Sequence, residues 1–147
     1  MEWRCVRFGA LGGRELHDLF ELRQNVFVVE QACAYADIDG HDLEAWHLSG
    51  RDPGQRLLAY ARLLGPGTRF AEPSIGRVVT HPLARRCGLG RALMGRALLE
   101  CERHYPGHPI RISAQTYLTA FYGELGFAPA GESYDEDGIP HQDMIRG

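Results

Sequence analysis

No stretch of this sequence approaches the ~20 consecutive apolar residues that a membrane-spanning helix needs. The start, Met1-Glu2-Trp3-Arg4-Cys5, lacks the apolar core and small-residue cleavage site of a signal peptide, so a cytoplasmic location is expected. Cysteine is scarce. Cys5, Cys33, Cys87 and Cys101 form no CxxC pair and no framework spacing, and they are expected as free thiols with neither a metal nor a disulfide. A basic excess is also missing: the formal net charge of −3 argues against a general nucleic-acid binder. Internal repeats and low-complexity segments are absent. The 147 residues, 44% of them hydrophobic and 24% charged, read as one globular domain spanning 1–147. A chain of that length can bury ~70% of the surface it exposes when unfolded.

Residues 3–8 alternate and predict a first strand. Leu16, Leu19, Phe20 and Phe27 then recur at helical spacing, with Glu15, Asp18 and Arg23 between them, which predicts an amphipathic helix from Gly13 to about Phe27. Residues 30–44 are polar and read as a loop. Strands are predicted at 46–50 and 57–64, joined by Arg51-Asp52-Pro53-Gly54, and a third at 74–81 ends at Pro82. The clearest helix runs from Leu89 to Tyr105, where Leu89, Leu93 and Ala97 make one ridge and Met94, Leu98, Cys101 and Tyr105 its neighbour; Pro106-Gly107 stops it. A strand at 110–115, a short helix at 118–125, a strand at 127–134, a hairpin turn at Asp137-Gly138 and a closing strand at 141–145 complete a mixed α/β pattern.

Chemistry concentrates between Ile75 and Leu93. A strand there runs into a basic, glycine-containing turn from which a long helix opens. Free N–H groups and the positive dipole end make a helix start an anion site, Gly88 and Gly90 permit close backbone approach, and Arg85, Arg86 and Arg91 add charge suited to a pyrophosphate. Two familiar phosphate loops are excluded. A P-loop needs Lys and then Ser or Thr where Arg91-Ala92 stand, and a dinucleotide fingerprint needs a third glycine near Leu93. On spacing alone, a basic loop capping a surface helix stays open.

Arg85-Arg86-Cys87-Gly88-Leu89-Gly90 matches the [Gln/Arg]-x-x-Gly-x-[Gly/Ala] signature of the GNAT acetyltransferase superfamily. Ala120 to Phe127, containing Tyr122-x-x-x-Gly126-Phe127, resembles its second coenzyme-A motif. Three further segments resemble the ElaA-like subgroup: Leu22-Arg23-x-x-Val26-Phe27-Val28-Val29-Glu30-Gln31, Asp37-Ile38-Asp39-Gly40-x-Asp42, and Tyr134-x-Glu136-Asp137-Gly138-Ile139-Pro140-His141. Together these cover nearly the whole chain. One departure is Gln115, where many relatives carry Asn at the end of the central strand.

The resemblance implies a mostly antiparallel sheet of about six or seven strands, helices on both faces and a central strand pair splayed apart. It implies transfer of acetyl from acetyl-CoA directly to a primary amine, with no metal. Backbone of Val78, Val79 and Thr80 would hold the pantetheine arm, with Gln115 across the cleft, and the turn Arg85, Arg86, Cys87, Gly88, Leu89, Gly90, Arg91 would hold the pyrophosphate. An N–H near Val79 would stabilise the oxyanion, an effect worth ~3 kcal/mol in other enzymes. Tyr122 stands where the superfamily places its general acid; a ring packed in the core is the alternative. Glu30, His47 and His141 are candidate bases, with partial burial expected to raise Glu30. Acidic residues at Glu30, Asp37, Asp39, Asp42 and Glu44, and again at Asp135, Glu136 and Asp137, would favour a cationic amine if those loops line the acceptor cleft. The expected partner is a small-molecule or lysine-type amine, with no nucleic acid and no membrane; a homodimer is left open. A catalytically silent acyl-CoA-binding module is the alternative function. Asp37-Ile38-Asp39-Gly40 is set aside as a calcium loop because its glycine falls at the fourth rather than the sixth position.

Overall fold

The computed structural model describes residues 1–147, and its centre is the apolar segment 57–64. Eight strands form one sheet: β1 (Glu2–Arg7), β2 (Trp46–Arg51), β3 (Leu57–Leu64), β4 (Ser74–Thr80), β5 (Ile110–Gln115), β6 (Ala128–Pro129), β7 (Tyr134–Glu136) and β8 (Ile139–Arg146). Their order is β1-β2-β3-β4-β5-β8-β6, with β7 also paired to β8. Every pairing is antiparallel except β4 with β5. Three α-helices accompany the sheet: α1 (Gly13–Arg23), α2 (Leu89–His104) and α3 (Thr119–Glu124). No helix is long and apolar enough to cross a membrane.

Alternation along β3 builds two cores. Ala59, Ala61 and Leu63 face α2 and join Leu89, Leu93, Met94, Ala97 and Cys101, while Tyr60 turns to the other face and meets Leu19, Leu22 and Val26. On α2 the predicted ridges face the core, with Leu98 and Tyr105 partly buried; on α1 Leu19 is buried, with Leu16, Phe20 and Phe27 packed partly buried around it. Helix α1 starts where the Glu15 carboxylate accepts from the Gly12 N–H at 3.1 Å. It does not run unchanged to Phe27. Beyond Arg23 the turns widen to π-type over Gln24–Glu30, a distortion frequent at functional sites. The strand predicted over 127–134 is also interrupted: Gly131 at φ +80° bends the chain after β6, and pairing resumes at Tyr134. Asp137 and Gly138, both at positive φ, make the predicted β7–β8 turn.

The polar segment 30–44 is no solvated loop. Arg23 Nε and Nη1 donate to Asp37 at 2.9 Å and Asp42 at 2.8 Å, and Arg62 Nη1 donates to Asp39 at 2.6 Å and Asp42 at 3.1 Å. Arg23, Arg62 and Asp42 are at most 2% exposed. Arg77, on the neighbouring strand, reaches Asp37 at 2.9 Å and Asp39 at 3.3 Å. Burial alone would raise the Asp42 carboxyl, but the hydrogen bond from Arg23 and the charges of Arg23 and Arg62 outweigh it and hold the group below the usual range.

Removing one member strands the rest. Asp42→Ala leaves two buried guanidinium groups short of a counter-charge and should cost about 3–5 kcal/mol, lowering Tm by roughly 10 °C or more. Asp39 and Asp42 both titrate below their unfolded values, so their contribution is complete above the unfolded pKa of about 3.9 and is lost as pH falls through the folded values. Urea unfolding at pH 7 and over pH 2–5 checks both expectations; Asp42→Ala should show the weaker acid dependence.

Candidate active site

Strand β4 carries an irregularity that opens the sheet. Tyr60 pairs with Val79 and Arg62 with Gly76, so Ala61 faces two residues, Arg77 and Val78. Arg77 absorbs the bulge at φ +50°, a left-handed conformation that costs a residue with a side chain of order 1 kcal/mol. The salt bridges from Arg77 to Asp37 and Asp39 hold it there. On its other edge β4 meets β5 only at Ser74–Arg111, and the two strands then diverge. The predicted splay is thus present, and its cause is the bulge.

A cleft of about 690 Å³ fills the gap. Its walls include Val78, Val79 and Thr80 from β4, Ile112 to Gln115 from β5, Glu30 and Gln31 from the π-type turn, Tyr122 from α3, and Glu136, Asp137 and His141 from the β7–β8 hairpin. Backbone direction separates the β4 residues. The His81 N–H donates to Leu58 O at 2.7 Å, and the alternation of an antiparallel ladder then commits Val79 to β3 as well. Thr80 is left with its main-chain groups turned to the open edge. The free amide next to Val79 is that of Thr80.

The turn before α2 is built for exposed amides. Arg86 at φ +64° and Gly88 at φ +79° curl the chain, and no side chain caps the helix at Gly88. Ala92, donating to Gly88 O at 3.1 Å, is the first residue of α2 whose N–H the helix uses, so those of Leu89, Gly90 and Arg91 have no backbone partner. Cys87 is held by its thiol donating to Ala84 O at 2.8 Å. The arginines are less free than the sequence suggests. Arg85 forms a bidentate pair with Glu30 at 2.7 and 2.8 Å, and Arg91 pairs with Glu124 across to α3. Arg86 alone among the three makes no ion pair.

The three candidate bases part ways. Glu30 is exposed rather than partly buried; the Arg85 hydrogen bond, partly opposed by desolvation, holds its carboxyl below the usual range. The expected upward shift is therefore overturned, because the π-type turn aims Glu30 at the basic loop. His47 is 1% exposed, and both ring nitrogens are engaged. Nε2 donates to Asp42 O at 2.8 Å, Nδ1 accepts from Tyr60 at 2.6 Å, and burial lowers its pKa, so it is neutral and structural. His141 lines the cleft, opposite Gln115 in the β5–β8 register. Its Nδ1–H donates to Ile139 O at 2.7 Å, which leaves the lone pair on Nε2, 3.5 Å from Glu136 Oε2. Tyr122 stands between the two readings offered for it. Its ring packs against Phe121 and Phe127 and burial pushes the phenol up to about 12, yet the residue lines the cleft and its hydroxyl bonds to no protein group.

Charge in the cleft is balanced. Glu30 pairs with Arg85, Asp39 with Arg62 and Arg77, and Glu136 with Arg69, while Asp137 makes no ion pair and Asp37 and Asp42 are consumed in the buried cluster. The negative field expected from segment 30–44 is thereby cancelled. Sequence reading missed the arginines Arg62 and Arg77. A lone Arg62 inside the apolar run 57–64, with three aspartates in one short loop, was the available signal.

A bulged β4 diverging from a parallel neighbour, beside a glycine turn that opens a long helix, is the frame of an acyl-CoA-dependent N-acyltransferase. The GNAT acetyltransferase domain model matches residues 28–146, and the chain belongs to that family. Protein ElaA of Escherichia coli is 40% identical over 148 residues, covering 99% of this chain and 96% of ElaA; a UPF0039 protein of Synechocystis is 47% identical over 145, covering 99% and 94%. Among solved structures, an acyl-CoA N-acyltransferase from Pseudomonas aeruginosa superposes with a TM-score of 0.93 at 44% identity, covering the whole of both chains.

Proposed function

We propose that residues 1–147 act as one cytoplasmic catalytic domain that moves an acetyl group from acetyl-CoA directly to a primary amine in a ternary complex. The observation that carries this reading is the cleft itself. Along one gap it joins free main chain on β4, an unbonded phenol and a histidine with a bare nitrogen, and at Arg85 it reaches the turn whose uncapped amides open α2. The amides of residues 86–91 and the Arg86 guanidinium suit a pyrophosphate, and the open edge at Thr80 suits an amide-bearing arm laid beside β4 as an added strand.

A thioester is already activated, so the protein has two protons to manage. An alkylamine of pKa near ~10.4 is mostly charged at neutral pH, and freeing its lone pair costs about 4–5 kcal/mol. His141 accepts that proton on Nε2 while Glu136 stabilises the imidazolium. Tyr122, kept protonated by burial, gives its proton to the departing thiolate. Asp137 makes no ion pair, and it is the group we assign to attract a cationic amine; the loop 37–42 is not. All 16 basic residues counted as Lys or Arg are arginines, so a lysine acceptor would lie in another protein.

Thiol release from acetyl-CoA, measured against cationic, neutral and anionic amines, tests the reading. Coenzyme-A binding without turnover of any amine would leave a silent binding module instead. Tyr122→Phe and His141→Ala should each lower kcat by about 10²–10⁴-fold with little change in coenzyme-A affinity. No alkaline fall attributable to Tyr122 is expected near neutral pH, because burial pushes its phenol up to about 12. Glu30→Gln should retain kcat and, by releasing Arg85, tighten coenzyme-A binding up to ~5-fold by calorimetry, the scale of an exposed ion pair worth about 0–1 kcal/mol.

A further inference from the structure

A second cluster of chemically capable side chains lies away from the cleft. Cys5 from edge strand β1 meets Glu100 and His104 from the last turns of α2, and the nearest Sγ, carboxylate and imidazole atoms all fall within 4.8 Å of one another. Glu100 and His104 are four residues apart, the spacing that puts two ligands on one helical face. This site is some 20 Å along α2 from the coenzyme-A turn, counting about 1.5 Å per residue.

We propose that Cys5, Glu100 and His104 form a transition-metal site, suited to Zn²⁺, that ties the edge strand to the C-terminal half of α2. One thiolate, one imidazole and one carboxylate make the mixed S/N/O set that zinc takes, and the single oxygen donor fits neither Ca²⁺ nor Mg²⁺. Tetrahedral bonds of ~2.0–2.3 Å separate ligand atoms by roughly 3.3–3.8 Å. His104 Nε2 and Glu100 Oε2 are already 3.3 Å apart, and the remaining pairs, within 4.8 Å, need to close by at most about 1.5 Å.

The surroundings hold the ligands in place. The His104 ring is stacked on Trp46 at 3.7 Å and 12°, with the Arg7 guanidinium on Trp46 at 4.6 Å, which fixes the plane of the imidazole. Arg96 and Arg103 lie 4.0 and 3.9 Å from Glu100 Oε1, leaving Oε2 for the ion. Glu100 is only 6% exposed, and in the metal-free protein the Cys5 thiol lies beside it. Binding breaks the S–H bond, forms a metal–sulfur bond and releases one proton to solvent. Solvent supplies the fourth ligand, as His104 and Cys5 are only partly covered.

Chelator-treated full-length protein titrated with Co²⁺, and then with Zn²⁺ in competition, tests the proposal. One equivalent should give a thiolate-to-cobalt charge-transfer band that zinc abolishes, and zinc at roughly 100 times its Kd should raise Tm by about 5 °C or more. Cys5→Ser and His104→Phe, the latter retaining the stack on Trp46, should each weaken binding more than ~100-fold, beyond the loss caused by removing an outer partner of a ligand. Cys87→Ser and His108→Ala, which remove exposed donors elsewhere, should bind as the unmodified chain does. A band that is absent, that survives Cys5→Ser, or that disappears with Cys87→Ser overturns the site. Because the readouts are spectroscopic and thermal, their failure would leave the acyltransfer reading untouched.

Discussion

The arrangement depends on the buried arginine–aspartate cluster beneath β3 and β4. Arg23 joins α1 to segment 37–42, Arg62 joins that segment to β3, and Arg77 joins it to β4. Ions this deeply buried are costly unless every charge is matched, and here each guanidinium meets at least two carboxylates. The match leaves little freedom. It holds a segment with almost no secondary structure against the sheet, and it clamps the side chain of the one β4 residue in the left-handed region.

From that clamp the cleft follows. A regular β4 would pair along its length with β5 and leave no opening. The extra residue at Arg77–Val78 turns the strand, ends the parallel pairing after Ser74–Arg111, and frees the main chain at Thr80. Tyr122, on α3, and His141, on β8 beside β5, then both line the gap. The same packing that makes Tyr122 part of the core keeps its phenol protonated, the state the proposed acid requires. His47 shows the converse: a histidine with both nitrogens satisfied is chemically spent, whatever its position in the sequence.

Local pattern made much of this legible. The ridges of α2, the alternation of β3, the Asp137-Gly138 turn and the glycine turn at 85–91 each follow from periodicity or from the dihedral needs of a few adjacent residues. Tyr122 and the β4 segment were readable as candidates only through the family resemblance, and His141 through its place after the predicted turn. The opposite signs of Glu30 and Arg85 carried no hint that they would bind one another, since 55 residues separate them. Nor did the aspartates of 37–42 announce that they would face inward, because charge in a loop ordinarily means solvent.

By itself the sequence determined the elements, the family to which the chain belongs and the residue types available for chemistry, because those are properties of neighbours in the chain. Only the tertiary structure decided which charges are cancelled and which histidine keeps a free nitrogen. It also decided where the sheet opens, and that Cys5 stands beside Glu100 and His104. Each of these depends on side chains brought together from distant segments, and pairing across space sets pKa, burial and access in ways no local pattern records.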